Sequence, residues 1–290
     1  MNISMYSHFS ETVSKLGLEK ACAYARSLGF TGVELIEMTD EPEFIKDVAE
    51  AKKVKQLLDN YGLKVVCYTF GTTVMRESWE DNPAERALMN YVDIASAMDC
   101  PLLHHTLMFS LTIPPDAPKY EDILEPIVAM DQRVADYAKD KGVTVIVEEQ
   151  GMYFNGREGL GPFVTELKKR CSNVGICGDF GNMYFVDDDP VEFMRVFAKD
   201  VKHVHLKDYI RREKNDPPKD PENWLRTKGG AYLLEVRPGE GNVDYAACLG
   251  ILREAGYDGF FSMENNDKGP YEDGVAAGKD LLTKYFYNEK

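Results

Sequence analysis

Four short apolar runs in the second half of the chain each end in a side chain that can bind a cation or move a proton. Glu148 ends the run VTVIVE, and Asp179 ends VGICGD. His205 lies near the end of VKHVHLK, and Glu264 ends GFFSME. Because neighbouring parallel strands deliver their carboxyl ends to one edge of a sheet or barrel, we expect the four side chains to meet in one site.

Three carboxylates and one imidazole, with no thiolate, favour Mn²⁺ or Mg²⁺ as the bound ion and tolerate Co²⁺, Fe²⁺ or Zn²⁺. The ion would also relieve the repulsion between the carboxylates, of which one or more should be protonated without it. Glu149 directly follows Glu148 and remains an alternative ligand. His203 shares a strand face with His205, and we expect it one layer deeper.

Other polar side chains near the ends of predicted strands are candidates for binding a substrate. These candidates are Tyr6, Glu34, His104, His105, Asn182 and Arg211. Since His104 and His105 are adjacent in one strand, one should face inward and the other outward. Arg211 lies six residues beyond His205, where it could reach a substrate hydroxyl or anion. The sequence contains no GxSxG motif that would indicate a serine nucleophile.

The elements that must position these residues alternate between strand and helix eight times along the chain. The predicted strands are 2–6, 32–36, 63–68, 101–106, 143–148, 174–179, 201–207 and 259–264. The predicted helices are 11–28, 43–60, 83–98, 121–141, 161–170, 190–199, 243–255 and 272–287. Eight units of about 36 residues favour a single (β/α)8 TIM barrel spanning 1–290. A doubly wound open sheet is the competitor, but no GxGxxG or phosphate-loop motif supports its nucleotide-binding forms.

The longest irregular segment, 209–242, lies between the seventh strand and its helix and contains several prolines and glycines. A loop that follows a barrel strand lies on the catalytic face, so a functional or mobile loop is expected there.

Composition and charge exclude several classes of protein. The chain has 34 Lys and Arg against 49 Asp and Glu, for a net charge of −15. This charge weighs against nucleic acid and against anionic membranes as partners. No stretch approaches the ~18 apolar residues of a membrane-spanning helix. The N-terminus lacks the pattern of a secretory signal, and the six cysteines form no CxxC pair. Together these features predict a cytoplasmic protein with buried, unpaired thiols.

Six segments, in order and spanning most of the chain, make the sequence similar to the sugar isomerase/epimerase superfamily with the xylose isomerase-like barrel. They are GFTGVELIE (29–37), GVTVIVEEQG (142–151), VGICGDFGN (174–182), VKHVHLKD (201–208), PGEGNVDY (238–245) and GYDGFFSMENN (256–266). The superfamily includes ketose 3-epimerases, hydroxypyruvate isomerase and inosose dehydratase.

The resemblance implies one divalent metal bound by Glu148, Asp179, His205 and Glu264. In the ketose 3-epimerases the two metal-bound glutamates act as the acid/base pair, and their positions match Glu148 and Glu264. Arg211 falls at the substrate-arginine position of those enzymes. Two departures weaken the match to an epimerase. Asn182 stands where the epimerases have a histidine, and Phe154 stands where they have a second glutamate.

The expected reaction is removal of a proton next to a carbonyl on a sugar or sugar phosphate, through an enediolate that the metal stabilises. Proton return then gives an isomerase or epimerase. A lyase or dehydratase acting on a keto-polyol or an oxidised glycoside is the main alternative, and His104 or His105 would suit it as the acid. A non-catalytic metal- or sugar-binding barrel is a third. An endonuclease IV type enzyme is disfavoured because the chain has only five histidines. Barrels of this superfamily often form dimers or tetramers, so the resemblance implies a homo-oligomer, although the sequence shows no diagnostic patch for one.

Overall fold

Eight parallel strands close into a barrel in the computed structural model, which describes residues 1–38, 43–72, 82–108, 110–113, 115–265 and 267–288. The barrel strands are β1 (Ile3–Met5), β2 (Gly32–Met38), β3 (Lys64–Gly71), β4 (Leu102–His105), β5 (Thr144–Glu148), β6 (Val174–Asp179), β7 (Val201–Leu206) and β11 (Phe261–Met263). A separate sheet after β7 contains β8 (Asp208–Arg212), β9 (Leu225–Arg226) and β10 (Tyr232–Val236). Around the barrel the strand order is β1-β11-β7-β6-β5-β4-β3-β2, which confirms the predicted (β/α)8 fold.

Helices follow the barrel strands and cover the outside of the barrel. They are α1 (Ser7–Leu16), α2 (Leu18–Ser27), α3 (Val48–Asn60), α4 (Pro83–Ala97), α5 (Tyr120–Lys139), α6 (Gly156–Arg170), α7 (Pro190–Phe197), α8 (Tyr245–Glu254) and α9 (Tyr271–Leu281). The main apolar core lies between these helices and the strands. Among the described residues, none of the helices is both long and apolar enough to cross a membrane.

Two predicted helices differ from the observed ones for local reasons. The helix predicted over 11–28 is broken at Gly17, whose φ of +86° ends α1 before α2 begins. The helix predicted from Glu43 begins only at Val48, because the Asp47 side chain accepts a hydrogen bond from the backbone N–H of Glu50 at 2.8 Å and caps the helix there.

The segment predicted as an irregular loop contains a small sheet instead. Strands β8, β9 and β10 pair antiparallel in the order β8-β10-β9. Tyr209 of β8 and Leu233 of β10 pack with Phe185, which follows β6, in a small separate apolar cluster. The prediction missed this sheet because its apolar partner comes from a distant part of the chain.

The buried Asp208 carboxylate joins the start of β8 to the segment that follows β10 through hydrogen bonds. Asp208 Oδ1 accepts hydrogen bonds from the backbone N–H groups of Tyr209 and Val243, and Oδ2 accepts from those of Gly239 and Gly241, at 2.9 to 3.1 Å. Gly239 has a φ of +89°, and a Cβ at Gly241 would lie 2.2 Å from Asp208 Oδ1. The PGEGN segment therefore needs both glycines to wrap around Asp208.

Candidate active site

The four predicted metal ligands lie together at the carboxyl end of the barrel. One ligand atom from each of Glu148, Asp179, His205 and Glu264 lies within 4.8 Å of the others. The strand register explains part of this clustering, since Asp179 of β6 pairs directly with His205 of β7. The carboxylates converge on Nδ1 of His205, which lies 3.1 Å from Glu148 Oε1 and 3.0 Å from Glu264 Oε2. Nδ1 is therefore the nitrogen that would face an ion.

The two carboxylate oxygens of Asp179 differ in their hydrogen bonding. Its Oδ1 accepts hydrogen bonds from the N–H groups of Gly181 and Asn182, at 2.8 and 3.0 Å. Its Oδ2 is buried and accepts no hydrogen bond from the residues that the structure describes, and the same is true of Glu264 Oε2. Burial, together with nearby Glu264 and Glu148, raises the pKa of Asp179 to about 8 against the opposing effect of Lys207. Crowded anionic oxygens of this kind are suited to a divalent cation.

Lys207 is a buried cation in the site to which the sequence pattern assigned no role. Its ammonium forms a close ion pair with Glu264 Oε1 and lies 3.4 Å from Asp179 Oδ2. Burial lowers the pKa of Lys207, but Glu264 and Asp179 raise it well above its ordinary value. The sequence feature that could have predicted this role is spacing, because Lys207 lies two residues beyond His205 and therefore shares its strand face.

Glu34, predicted as a substrate residue, lies buried beneath the four ligands. Its Oε2 lies 3.0 Å from Nε2 of His205 and 2.8 Å from Nε2 of His203. Such a carboxylate fixes the ring of His205 and leaves its Nδ1 free to bind a metal. His203 lies a layer below His205, where the strand period puts it. Tyr6 covers His205, with ring centroids 4.6 Å apart.

Glu148 is positioned by two neighbouring side chains. The Asn182 amide donates a hydrogen bond to Glu148 Oε1 at 3.2 Å, and His104 Nε2 lies 3.5 Å from Glu148 Oε2. Burial raises the pKa of Glu148, but His205 and His104 bring it well below its ordinary value. Phe154, at the position of the second epimerase glutamate, is buried and packs against aromatic side chains rather than in the cluster.

Three other predicted residues point elsewhere. Glu149, the alternative ligand, accepts a hydrogen bond from the backbone N–H of Asp179 and so braces the end of β6. His105 faces outward, with Nε2 3.2 Å from Asp131 Oδ2 on α5. Arg211 pairs with Asp187 at 2.9 Å and with Glu213 at 3.0 Å. A substrate contact by Arg211 stays a prediction, as do the catalytic and substrate-binding roles of the other residues.

All six cysteines are buried and unpaired, as the sequence predicts. Cys67 and Cys177 pack with Ile146 inside the barrel, below the metal ligands.

A parallel barrel with three carboxylates and a histidine clustered at its carboxyl end defines the class of protein as a TIM barrel with a candidate metal site, and comparison with known proteins identifies the family. Residues 22–285 match the family model described as "Xylose isomerase-like TIM barrel". The chain belongs to this family.

Relatives and solved structures are similar over most of the chain. An inosose dehydratase of Lacticaseibacillus casei is 22% identical over 251 residues, covering 80% of this chain and 80% of the relative. The structure of "IOLI protein with a binding zinc atom" superposes with a TM-score of 0.74 at 18% identity, covering 99% of both chains. A 3-keto-D-glucoside 4-epimerase of E. coli gives a TM-score of 0.70 at 17% identity, covering 98% of this chain and 99% of that one. At these identities the two structures show a common fold.

Proposed function

We propose that the protein is a divalent-metal-dependent isomerase or epimerase that removes a proton next to the carbonyl of a sugar or keto-polyol. The observation that carries the proposal is the convergence of Glu148, Asp179, His205 and Glu264 within 4.8 Å. The similarity to an inosose dehydratase over 80% of the chain supports a reaction of this class on a sugar or polyol.

The chain's own atoms fit a hard divalent ion. Asp179 Oδ2 and Glu264 Oε2 are buried acceptors without a hydrogen bond, and Nδ1 of His205 lies beside them. Three carboxylates and one imidazole favour Mn²⁺ or Mg²⁺ as the bound ion. Zn²⁺ is a further candidate, because one structural neighbour is described with a binding zinc atom. When bound, the ion would supply positive charge where negative charge develops on the substrate oxygens.

Glu148 and Glu264 are proposed as the acid/base pair. Each has an oxygen within 3.1 Å of the same nitrogen of His205, so a substrate held there would lie between them. Burial raises the pKa of Glu264, but Lys207 and His205 lower it below its ordinary value. Both glutamates are thus kept ionised and able to accept a proton. The Asn182 amide and the Lys207 ammonium would hold the two carboxylates in position during transfer.

A lyase or dehydratase is the second candidate, and His104 is the observation that favours it. Its Nε2 forms no hydrogen bond with the described part of the chain and lies 3.5 Å from Glu148 Oε2. Burial lowers the pKa of His104, but Glu148 and Glu34 raise it above its ordinary value overall. A protonated imidazole beside the base could donate a proton to a departing hydroxyl. The similarity to inosose dehydratases is consistent with this role.

The test is deuterium exchange from D₂O into keto sugars and inososes, followed by NMR with the Mn²⁺-loaded protein. We expect exchange that stops after exhaustive chelation and returns with added metal. Glu148→Gln and Glu264→Gln should each abolish exchange, while Glu166→Gln, a partly exposed residue on α6 that pairs with Lys169, should not. A stereoisomer as product indicates an epimerase, and loss of water indicates the dehydratase. Exchange that persists without metal would refute the proposal, and none with metal bound would favour a binding protein.

We also propose a cytoplasmic protein that acts on a small molecule and not on nucleic acid, since its net charge of −15 opposes phosphate binding. Formation of a homo-oligomer stays a prediction.

A further inference from the structure

We propose that a cavity at the amino end of the barrel binds a small carboxylate whose apolar body carries a hydroxyl, such as a hydroxyaryl-alkanoate. The cavity has a volume of about 600 Å³. Sites for drug-sized ligands typically measure about 300–1,000 Å³, so this one has room for an aromatic ring and a short acidic side chain. The inference goes beyond the proposed function and does not depend on it.

The lining residues place this cavity at the end of the barrel opposite the candidate active site. Its walls come from the first residues of β3, β4 and β7, from Phe260 just before β11, and from the carboxyl ends of α3 and α4. Parallel barrels bind their substrates at the carboxyl ends of the strands, where the four clustered ligands lie. A ligand in this cavity would therefore occupy a second site.

Two irregularities in the strand pairing contribute to the wall of the cavity. The register between β2 and β3 skips Val66, and the register between β6 and β7 skips Lys202. Both skipped residues line the cavity. Bulges of this kind change the direction of a side chain and are common beside functional sites, so the barrel departs from regular pairing where the cavity is formed.

The wall of the cavity is largely apolar. Its apolar lining residues include Leu58 of α3, Val65, Val66, Met98, Leu102 and Phe260. Four of them are buried, and Leu102 and Phe260 are partly exposed. Contact with these side chains would remove the apolar body of a ligand from water, which favours binding.

The charges that line the cavity favour an anion. Lys64 and Lys202 are exposed and make no ion pair with any side chain in the described ranges. Lys55 is already paired, with Nζ 2.6 Å from Asp59 Oδ2 and 3.3 Å from Asp99 Oδ2. Three lysines against two aspartates leave one positive charge in excess, although the whole chain carries −15. One excess charge matches a monocarboxylate better than a dianionic phosphate.

His203 adds an unused hydrogen-bond acceptor to the wall of the cavity. Its Nε2 lies 2.8 Å from Glu34 Oε2, and since a carboxylate can only accept, Nε2 carries the proton and Nδ1 is the acceptor. Nδ1 is buried and makes no hydrogen bond within the portion of the chain that the structure describes. Buried polar atoms are normally paired, so this one indicates a place for a donor such as a ligand hydroxyl.

The test is isothermal titration calorimetry of the full chain with 3-(4-hydroxyphenyl)propionate as the probe, with and without Mn²⁺. We expect this acid to bind about fivefold or more tightly than its methyl ester, which lacks the charge. It should bind about threefold or more tightly than 3-phenylpropionate, which lacks the hydroxyl. The advantage over propionate, which lacks the ring, should be about tenfold or more.

Substitutions at the two unpaired lysines locate the binding site. Lys64→Gln and Lys202→Gln should each weaken binding of the acid about two- to fivefold and leave binding of the ester unchanged. Both lysines are exposed, so the variants should fold normally. Lys53→Gln is the matched control, because it removes the same charge from an exposed lysine of α3 that does not line the cavity, and it should change neither affinity.

The Mn²⁺ comparison separates this cavity from the candidate active site, where a carboxylate could bind the metal. We expect the same affinity for the acid with and without the ion. Binding only in the presence of Mn²⁺ would assign the acid to the four clustered ligands and overturn the inference. Equal affinity for the acid and any one of its three analogues, or an equal effect of all three lysine substitutions, would overturn it as well.

Discussion

Replacing Glu34 by Gln tests how much of the metal site depends on a residue that touches no metal. The Glu34 carboxylate accepts the Nε2 proton of His205 at 3.0 Å, which leaves Nδ1 with a free electron pair for the ion. A glutamine keeps the shape but loses the charge, and its amide can present a donor to Nε2. The imidazole would then favour the tautomer with the proton on Nδ1, the atom that must bind the metal.

The expected loss can be estimated from comparable sites. Removal of a carboxylate that orients a metal-bound histidine weakens binding about 10- to 100-fold, which corresponds to roughly 1.4–2.7 kcal/mol. Glu34 also contacts His203, Thr69 and Ser262, all buried, so the variant should be less stable as well.

Metal affinity should be measured by competition with a fluorescent chelator, and stability by thermal unfolding. Glu37→Gln is the matched control, since Glu37 is a buried carboxylate on the same strand. It faces away from the site and accepts hydrogen bonds from the N–H groups of Phe44 and Ile45 at 2.9 Å. The Glu37→Gln variant should have reduced stability and an unchanged metal affinity. A folded Glu34→Gln protein whose affinity lies within threefold of the parent's would refute the reasoning.

Three further outcomes are expected. Lys207→Met removes a cation that faces Asp179 and Glu264, so metal should bind about tenfold or more tightly while kcat falls; weaker binding would contradict this. The pKa of Asp179 is raised to about 8. Burial lowers the pKa of His205, but Cys177, Glu34 and Glu148 raise it well above its ordinary value, so metal binding at pH 7 should release at least one proton and should tighten as the pH rises to 8. Calorimetry in buffers of different ionisation enthalpy measures this release, and none at pH 7 would count against it. Asp208→Ala leaves four backbone N–H groups without their acceptor and should cost about 2–5 kcal/mol, seen as a lower unfolding midpoint and faster proteolysis of the inserted sheet.

The barrel fold and the meeting of the four polar side chains could be predicted from the sequence because both depend on local patterns. Strand and helix periods are properties of a few neighbouring residues, and eight such units imply a barrel. Once the strands are parallel, their final residues must share one end, which brings Glu148, Asp179, His205 and Glu264 together. The sequence favoured Glu148 and left Glu149 as the alternative, and in the structure Glu149 accepts a hydrogen bond from the backbone N–H of Asp179 instead of joining the cluster.

Only the tertiary structure could determine the contacts between distant parts of the chain. Glu34 reaches His205 from 171 residues away, across the barrel interior, and so lies under the ligands rather than at the mouth. Lys207 finds its two anionic partners on β6 and after β11. The inserted sheet depends on Phe185 for its core. A local pattern contains the types of these residues but not the distances between them, and it is those distances that determine which charges are paired and which atoms remain free for a ligand.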